Sequence, residues 1–242
     1  MKTALVILVL MVAGYGIAQD APVPRSLLKI TAKSPTGEVV AEAVVDTNDA
    51  PDLAEWGKRA ATLCVEWLPR INTLLASEGF VPPKSVTLRF DPKEKGVAHA
   101  DRGRIVISAD YVRGHTNDWG MVIHELTHIV QAYPKAEENF TKPGWLVEGI
   151  ADYIRLTHFE PNAARPRINP DKASYRDAYK TTAVFLEWAE RKHDAKLVVK
   201  LNAALRRGRF SPDLFQKHTG KTVDELWADF TAELRAQPPA RK

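Results

Sequence analysis

Residues 124–128 read His-Glu-Leu-Thr-His. On a helix the two histidines, four positions apart, share one face, and two imidazoles one turn apart can reach a single tetrahedral zinc. Glu125 stands beside them, placed to accept a proton from a water that such a metal polarises. The apolar flanks Met121, Val122, Ile123, Ile129 and Val130 suit a buried helix.

A catalytic zinc site needs a third protein ligand and an open position for water. Residues 145–153 read Trp-Leu-Val-Glu-Gly-Ile-Ala-Asp-Tyr, and Glu148 follows His128 by twenty residues. One turn, a short loop and a second helix fit that interval, so Glu148 can return to the metal. Asp152, four residues further on the same helical face, can accept the other ring N–H of a ligating histidine, His124 first. That bond fixes the tautomer and makes the imidazole a better ligand. Gly149 next to the proposed ligand allows close packing of the two helices.

The elements that must position these residues follow from pattern. LLKITAKS and EVVAEAVVD flank Pro35-Thr36-Gly37 and predict a β-hairpin. Leu53 to Ser77 keeps helical periodicity, with Pro69 expected to kink or split it. Ser85 to Phe90 alternates as a strand. Gly96 to Ala100 and Arg104 to Ser108, around Asp101-Arg102-Gly103, predict a second hairpin. Helices are expected at Met121 to Ala132, with Asn117-Asp118 as its cap, at Trp145 to Leu156 and at Tyr175 to Arg191. Shorter ones follow at Ala195 to Arg206, Pro212 to His218 and Val223 to Arg235. Strands and one long helix come first and helices after, which is an α+β pattern in a single domain over 27–236.

The 242 residues suffice for one packed domain; 45% are hydrophobic and 26% charged, which excludes a disordered chain. A net charge of +4 gives no argument for nucleic-acid binding. Lys2, the apolar run Ala4 to Val12 and the small residues Gly16 and Ala18 predict a secretory signal peptide over 1–18, cleaved after Ala18. Residues 19–26 read as a flexible lead-in and 237–242 as a disordered tail. No other apolar stretch is long enough to cross a bilayer, so stable membrane insertion is not expected. The single cysteine, Cys64, excludes an internal disulfide and sits in a core-like helical pattern.

His-Glu-x-x-His followed by Glu-x-x-x-Asp resembles the gluzincin metallopeptidases. A closer resemblance is to the basic secretory protein family, zinc peptidases of plants and bacteria. It runs through DAPDLAEW, GFVPP, HELTHIVQAY, PGWLVEGIADYIR, TTAVFLEW and VDELWADF, nearly the whole mature chain. The resemblance implies a zincin-like fold, one Zn2+ per chain held by His124, His128 and Glu148, Asp152 behind a ligand, and secreted or periplasmic proteolysis. Peptide or protein is then the expected partner, and nothing specifies an oligomeric state.

Metal-assisted hydrolysis also needs an electrophile for the oxyanion. Tyr179, ahead of TTAVFLEW, is the first candidate; Tyr175, Tyr153, Tyr133, His158 and His193 are alternatives. Gly96 to Ala100 can offer a strand edge to an extended peptide, with His99 incidental. An aminopeptidase would need an acidic anchor for the free amine, and no Gly-x-Met-Glu-Asn-type segment occurs. A catalytically silent binding protein of the cell wall would retain the metal site, but it has no need of Glu125. Asn139-Phe140-Thr141 matches a glycosylation sequon.

Overall fold

A computed structural model describes residues 27–134 and 142–236. The segments read as signal peptide, lead-in and tail, and the sequon at 139–141, lie outside the described residues.

Both predicted hairpins form. Strands β1 (Leu27–Lys33) and β2 (Val39–Asp46) pair antiparallel, as do β4 (Ala98–Asp101) and β5 (Arg104–Ser108). The second turn is closed by Arg102 at φ 46° and Gly103 at φ 80°. Two positive φ values in a two-residue loop match the right-handed twist of the strands it joins. Strand β3 (Ser85–Asp91) lies parallel to both β2 and β5, giving the order β1-β2-β3-β5-β4. Thus β4 is an edge strand among the described residues.

One face of the sheet carries Ala41, Ala43, Val45, Val86, Leu88, Phe90, Ile105 and Ile107, all buried. Helix α1 (Ala54–Leu74) covers this face and crosses from β2 to the parallel β3. Of the kink or split expected at Pro69, the split does not occur. Leu68 and Ile71, both at 0% exposure, anchor the chain on either side of the proline, so burial outweighs the one backbone bond that proline removes. Cys64 is wholly buried in the same face, and burial pushes its thiol up to about 12.

A short helix α2 (Ala109–Gly114), not apparent in the sequence pattern, leads to α3 (Trp119–Gln131) and, after the loop, α4 (Gly144–Tyr153). The predicted helix to Leu156 continues as a π-helical turn, Ile154–Phe159. Its wide period brings residues five apart together. The Glu160 N–H donates to the Arg155 carbonyl at 2.7 Å, and Arg155 Nε donates to the Glu160 carboxylate at 2.9 Å.

The helix expected from Tyr175 begins instead at Tyr179: α5 spans Tyr179–Lys192. A short 3-10 turn, Tyr175–Asp177, precedes it, and Ala178 at φ 60° and Tyr179 at φ 46° break the helical path. Helices α6 (Leu197–Arg206), α7 (Asp213–Thr219) and α8 (Val223–Ala236) complete the fold. Trp145, Tyr175, Phe185, Trp188, Trp227 and Phe230 pack ring against ring between them. One continuous hydrophobic core joins this helical part to the sheet, so the chain is a single α+β domain.

Candidate metal centre

Helix α3 starts at Asp118, whose Oδ1 accepts the Met121 N–H at 3.1 Å. Its Oδ2 accepts the Tyr111 hydroxyl at 2.8 Å, and Arg155 Nη2 reaches Oδ1 at 3.1 Å. The cap therefore fixes the start of the helix from two other elements. Arg155 lies across Gly120, where a Cβ would stand 2.2 Å from its Nε. Val122, Ile123, Leu126 and Val130 bury the apolar face of α3, and the opposite face presents His124 and His128 to a cleft.

Helix α4 brings Glu148 to the same point. Ligand atoms of His124, His128 and Glu148 all lie within 4.8 Å of one another. The two Nε2 atoms are 3.1 Å apart, and Glu148 Oε2 lies 3.1 Å from one and 3.3 Å from the other. The imidazoles stand nearly perpendicular, at 84°. Close packing of α4 does rest on Gly149, but its neighbour is α5 rather than α3. A Cβ at Gly149 would meet Thr182 Cγ2 at 2.2 Å.

The hydrogen bonds behind the histidines decide which ring nitrogens carry protons. His124 Nδ1 lies 2.8 Å from Asp152 Oδ1, a buried carboxylate that can only accept. His128 Nδ1 lies 2.7 Å from Gln131 Oε1. The Gln131 amide nitrogen donates to the Val147 carbonyl at 2.9 Å, so its oxygen must face the ring and accept. Both Nδ1 atoms are then donors, and rings without a second proton would turn bare Nε2 lone pairs toward each other and toward a carboxylate. Three acceptors at about 3 Å repel one another unless a cation sits among them. Two imidazoles and one carboxylate are a donor set that suits zinc.

Without a metal, a proton takes that cation's place. Burial opposes charge on His124, but the bonds to Asp152 and Glu148 outweigh it and raise its pKa to about 9. Burial also opposes charge on Glu148, yet the two histidines hold it down at about 2. Glu125, 8% exposed, is pushed upward by burial against the pull of the histidines. That shift suits a proton acceptor.

The cleft has a volume of about 1320 Å³ and is lined by β4, α3, α4 and the start of α5. Tyr179 is 56% exposed within it, its ring centroid 6.0 Å from that of His124. The Glu148 charge holds its phenol above the usual range, so the hydroxyl keeps its proton. The alternatives lie elsewhere or are engaged. Tyr133 borders the cleft but donates its hydroxyl to Asn202. Tyr153 donates to Glu190 and Tyr175 to Asp224. His158 packs on Tyr153 and His193 on Trp188. His99, in the cleft wall on β4, pairs with Glu94 at 3.1 Å. Sequence reasoning missed Gln131, although its position three residues after His128 on the same helix places it beside that ring.

The mixed sheet and the helices packed on it have the fold of solved zinc metallopeptidases. An M1 zinc metallopeptidase from Deinococcus radiodurans matches with a TM-score of 0.51 at 17% identity, over 89% of this chain and 54% of that one. Aminopeptidase A of Legionella pneumophila, solved with aspartic acid, matches with a TM-score of 0.52 at 11% identity, over 84% of this chain and 28% of that one. The chain thus spans about half the length of the first of these structures or less. No curated protein sequence matches it. The family described as peptidase of plants and bacteria matches residues 70–230. The chain belongs to that family.

Proposed function

We propose that this protein is a secreted zinc-dependent peptidase. The observation that carries the reading is the convergence of two Nε2 atoms and one carboxylate oxygen, with Glu125 beside them in an open cleft. His124, His128 and Glu148 hold one zinc, and Asp152 and Gln131 orient the two histidines. When bound, zinc supplies a Lewis acid that polarises the scissile carbonyl and acidifies water.

The chain's own groups do the rest. Glu125 takes the proton of the attacking water and delivers it to the leaving amine. The Tyr179 hydroxyl donates a hydrogen bond to the oxyanion of the tetrahedral intermediate. The free edge of β4 aligns an extended peptide through main-chain hydrogen bonds. The pattern of residues 1–18 supports export, after which residues 19–242 act outside the cytoplasm.

Elemental analysis and a casein assay test this on residues 19–242. One zinc per chain and chelator-sensitive cleavage are expected, with Glu125→Gln keeping the metal and losing hydrolysis. Folded protein that binds no zinc would refute the metal centre, and full activity in Glu125→Gln would remove Glu125 from the mechanism.

A further inference from the structure

The chain enters α5 through an unusual backbone. Ala178 has φ 60° and ψ −169°, and Tyr179 follows at φ 46°. The first combination is one that glycine adopts almost alone, and a side chain there persists only when its surroundings enforce it.

The surroundings do so on both sides. Before the turn, Ser174 and Asp177 form a reciprocal cap: the Ser174 N–H donates to Asp177 Oδ2 at 2.8 Å, and Ser174 Oγ accepts the Arg176 N–H at 3.1 Å. After it, the Thr182 hydroxyl donates to the Tyr175 carbonyl at 2.7 Å, while its methyl group lies against Gly149. Gly149 adjoins Glu148, so the turn is fastened directly beside the metal centre.

The ring that leaves this turn has a single ring contact, with His124. Tyr179 is more than half exposed, and among the described residues its hydroxyl has no hydrogen-bond partner. It nevertheless stands over His124. With so few contacts on the ring, the backbone that carries it sets where the ring falls. A turn needed only for connection would be made without strain by glycine, whose freedom would leave the following ring loosely aimed. We infer that Ala178 is a positioning residue whose enforced backbone holds the Tyr179 phenol over the metal centre. This rests on the proposed role of Tyr179 in hydrolysis.

The test uses zinc-loaded Ala178→Gly, Tyr179→Phe and the double variant on a fluorogenic peptide that the wild type cleaves. It also uses 19F spectra of the metal-free proteins labelled with 3-fluorotyrosine. Ala178→Gly is expected to melt no lower than the wild type and to keep its zinc and KM. Its kcat falls on the order of tenfold, as misplacement of a reacting group does. In the Tyr179→Phe background the same change costs nothing further. The Tyr179 resonance, assigned by its loss in Tyr179→Phe, moves toward the free amino-acid position in Ala178→Gly. An unmoved resonance with unchanged kcat, or an equal loss in both backgrounds, overturns the inference. An unchanged rate in Tyr179→Phe refutes the phenol's catalytic role instead, and the 19F spectrum alone then decides the positioning.

Discussion

The amide oxygen of Gln131 lies 2.7 Å from Nδ1 of His128, while the amide nitrogen of the same side chain is tied to the Val147 carbonyl on α4. One residue thus fixes a ring on α3 and fastens α3 to the helix that brings Glu148. Gln131→Leu is expected to weaken zinc binding by roughly 10–100-fold, the usual cost of losing a partner behind a ligating histidine. Competition with a zinc-chelating dye measures it. Unchanged affinity would show that His128 is held by packing alone.

Asp152 serves the other ring through a charged acceptor buried at 3% exposure. Asp152→Asn keeps the shape and removes the charge. Its zinc affinity should fall by at least as much as in the Gln131 variant, because charge-assisted hydrogen bonds are the stronger kind. The same dye competition, run on both variants, gives the order.

Gly149→Ala places a methyl group where Thr182 already stands, 2.2 Å from its Cγ2. Thr182 is fully buried and hydrogen-bonded, so it cannot swing away. Thermal unfolding should register a loss of about 1–3 kcal/mol, the range for overpacked cores. Adding Thr182→Ser, which removes Cγ2, should restore part of it. A variant as stable as the parent would mean that α5 moves freely on α4.

Removing the proposed zinc leaves only a proton on His124 to hold His128 and Glu148 together. At a metal concentration 100 times the dissociation constant, bound zinc adds about 2.7 kcal/mol. For a chain of this size that is roughly 5–10 °C in melting temperature. Calorimetry with chelator, and then with zinc returned, should show that shift reversibly.

His158 gives a pH dependence away from the metal. Burial holds its pKa below the ordinary 6.5, with the Glu187 charge opposing and the Tyr153 ring packed on it. The unfolded chain therefore binds this proton first as pH falls. The contribution to stability is complete above about pH 6.5 and is lost as pH drops below it. Denaturant titrations from pH 8 to 5 should show a shallower decline in His158→Asn than in the parent.

The sequence pattern reached the two hairpins, the long first helix and the residues that converge at the centre. Each of these depends on local information: alternation in β1 to β5, and fixed spacing within α3 and α4. It missed what depends on tertiary contact. Pro69 predicts a kink or a split, and the burial of Leu68 and Ile71 carries the helix unsplit through it. The 175–191 segment has helical composition throughout, and only the contact of Thr182 with Gly149 and the cap at Ser174 force the path open at Ala178. Helix α2 is six residues long, too short to show a period. Gln131 was legible in principle, since position i+3 on a helix faces the ring of residue i, but nothing in a lone glutamine marks it until Val147 is seen to orient its amide.

The edge strand β4 is four residues long. A partner that pairs with it has to present about 13 Å of chain whose N–H and C=O groups are free on one side. A natively folded protein satisfies nearly all such groups internally. If an extended substrate docks at β4 as proposed, unstructured chains are favoured over compact ones by conformation before composition.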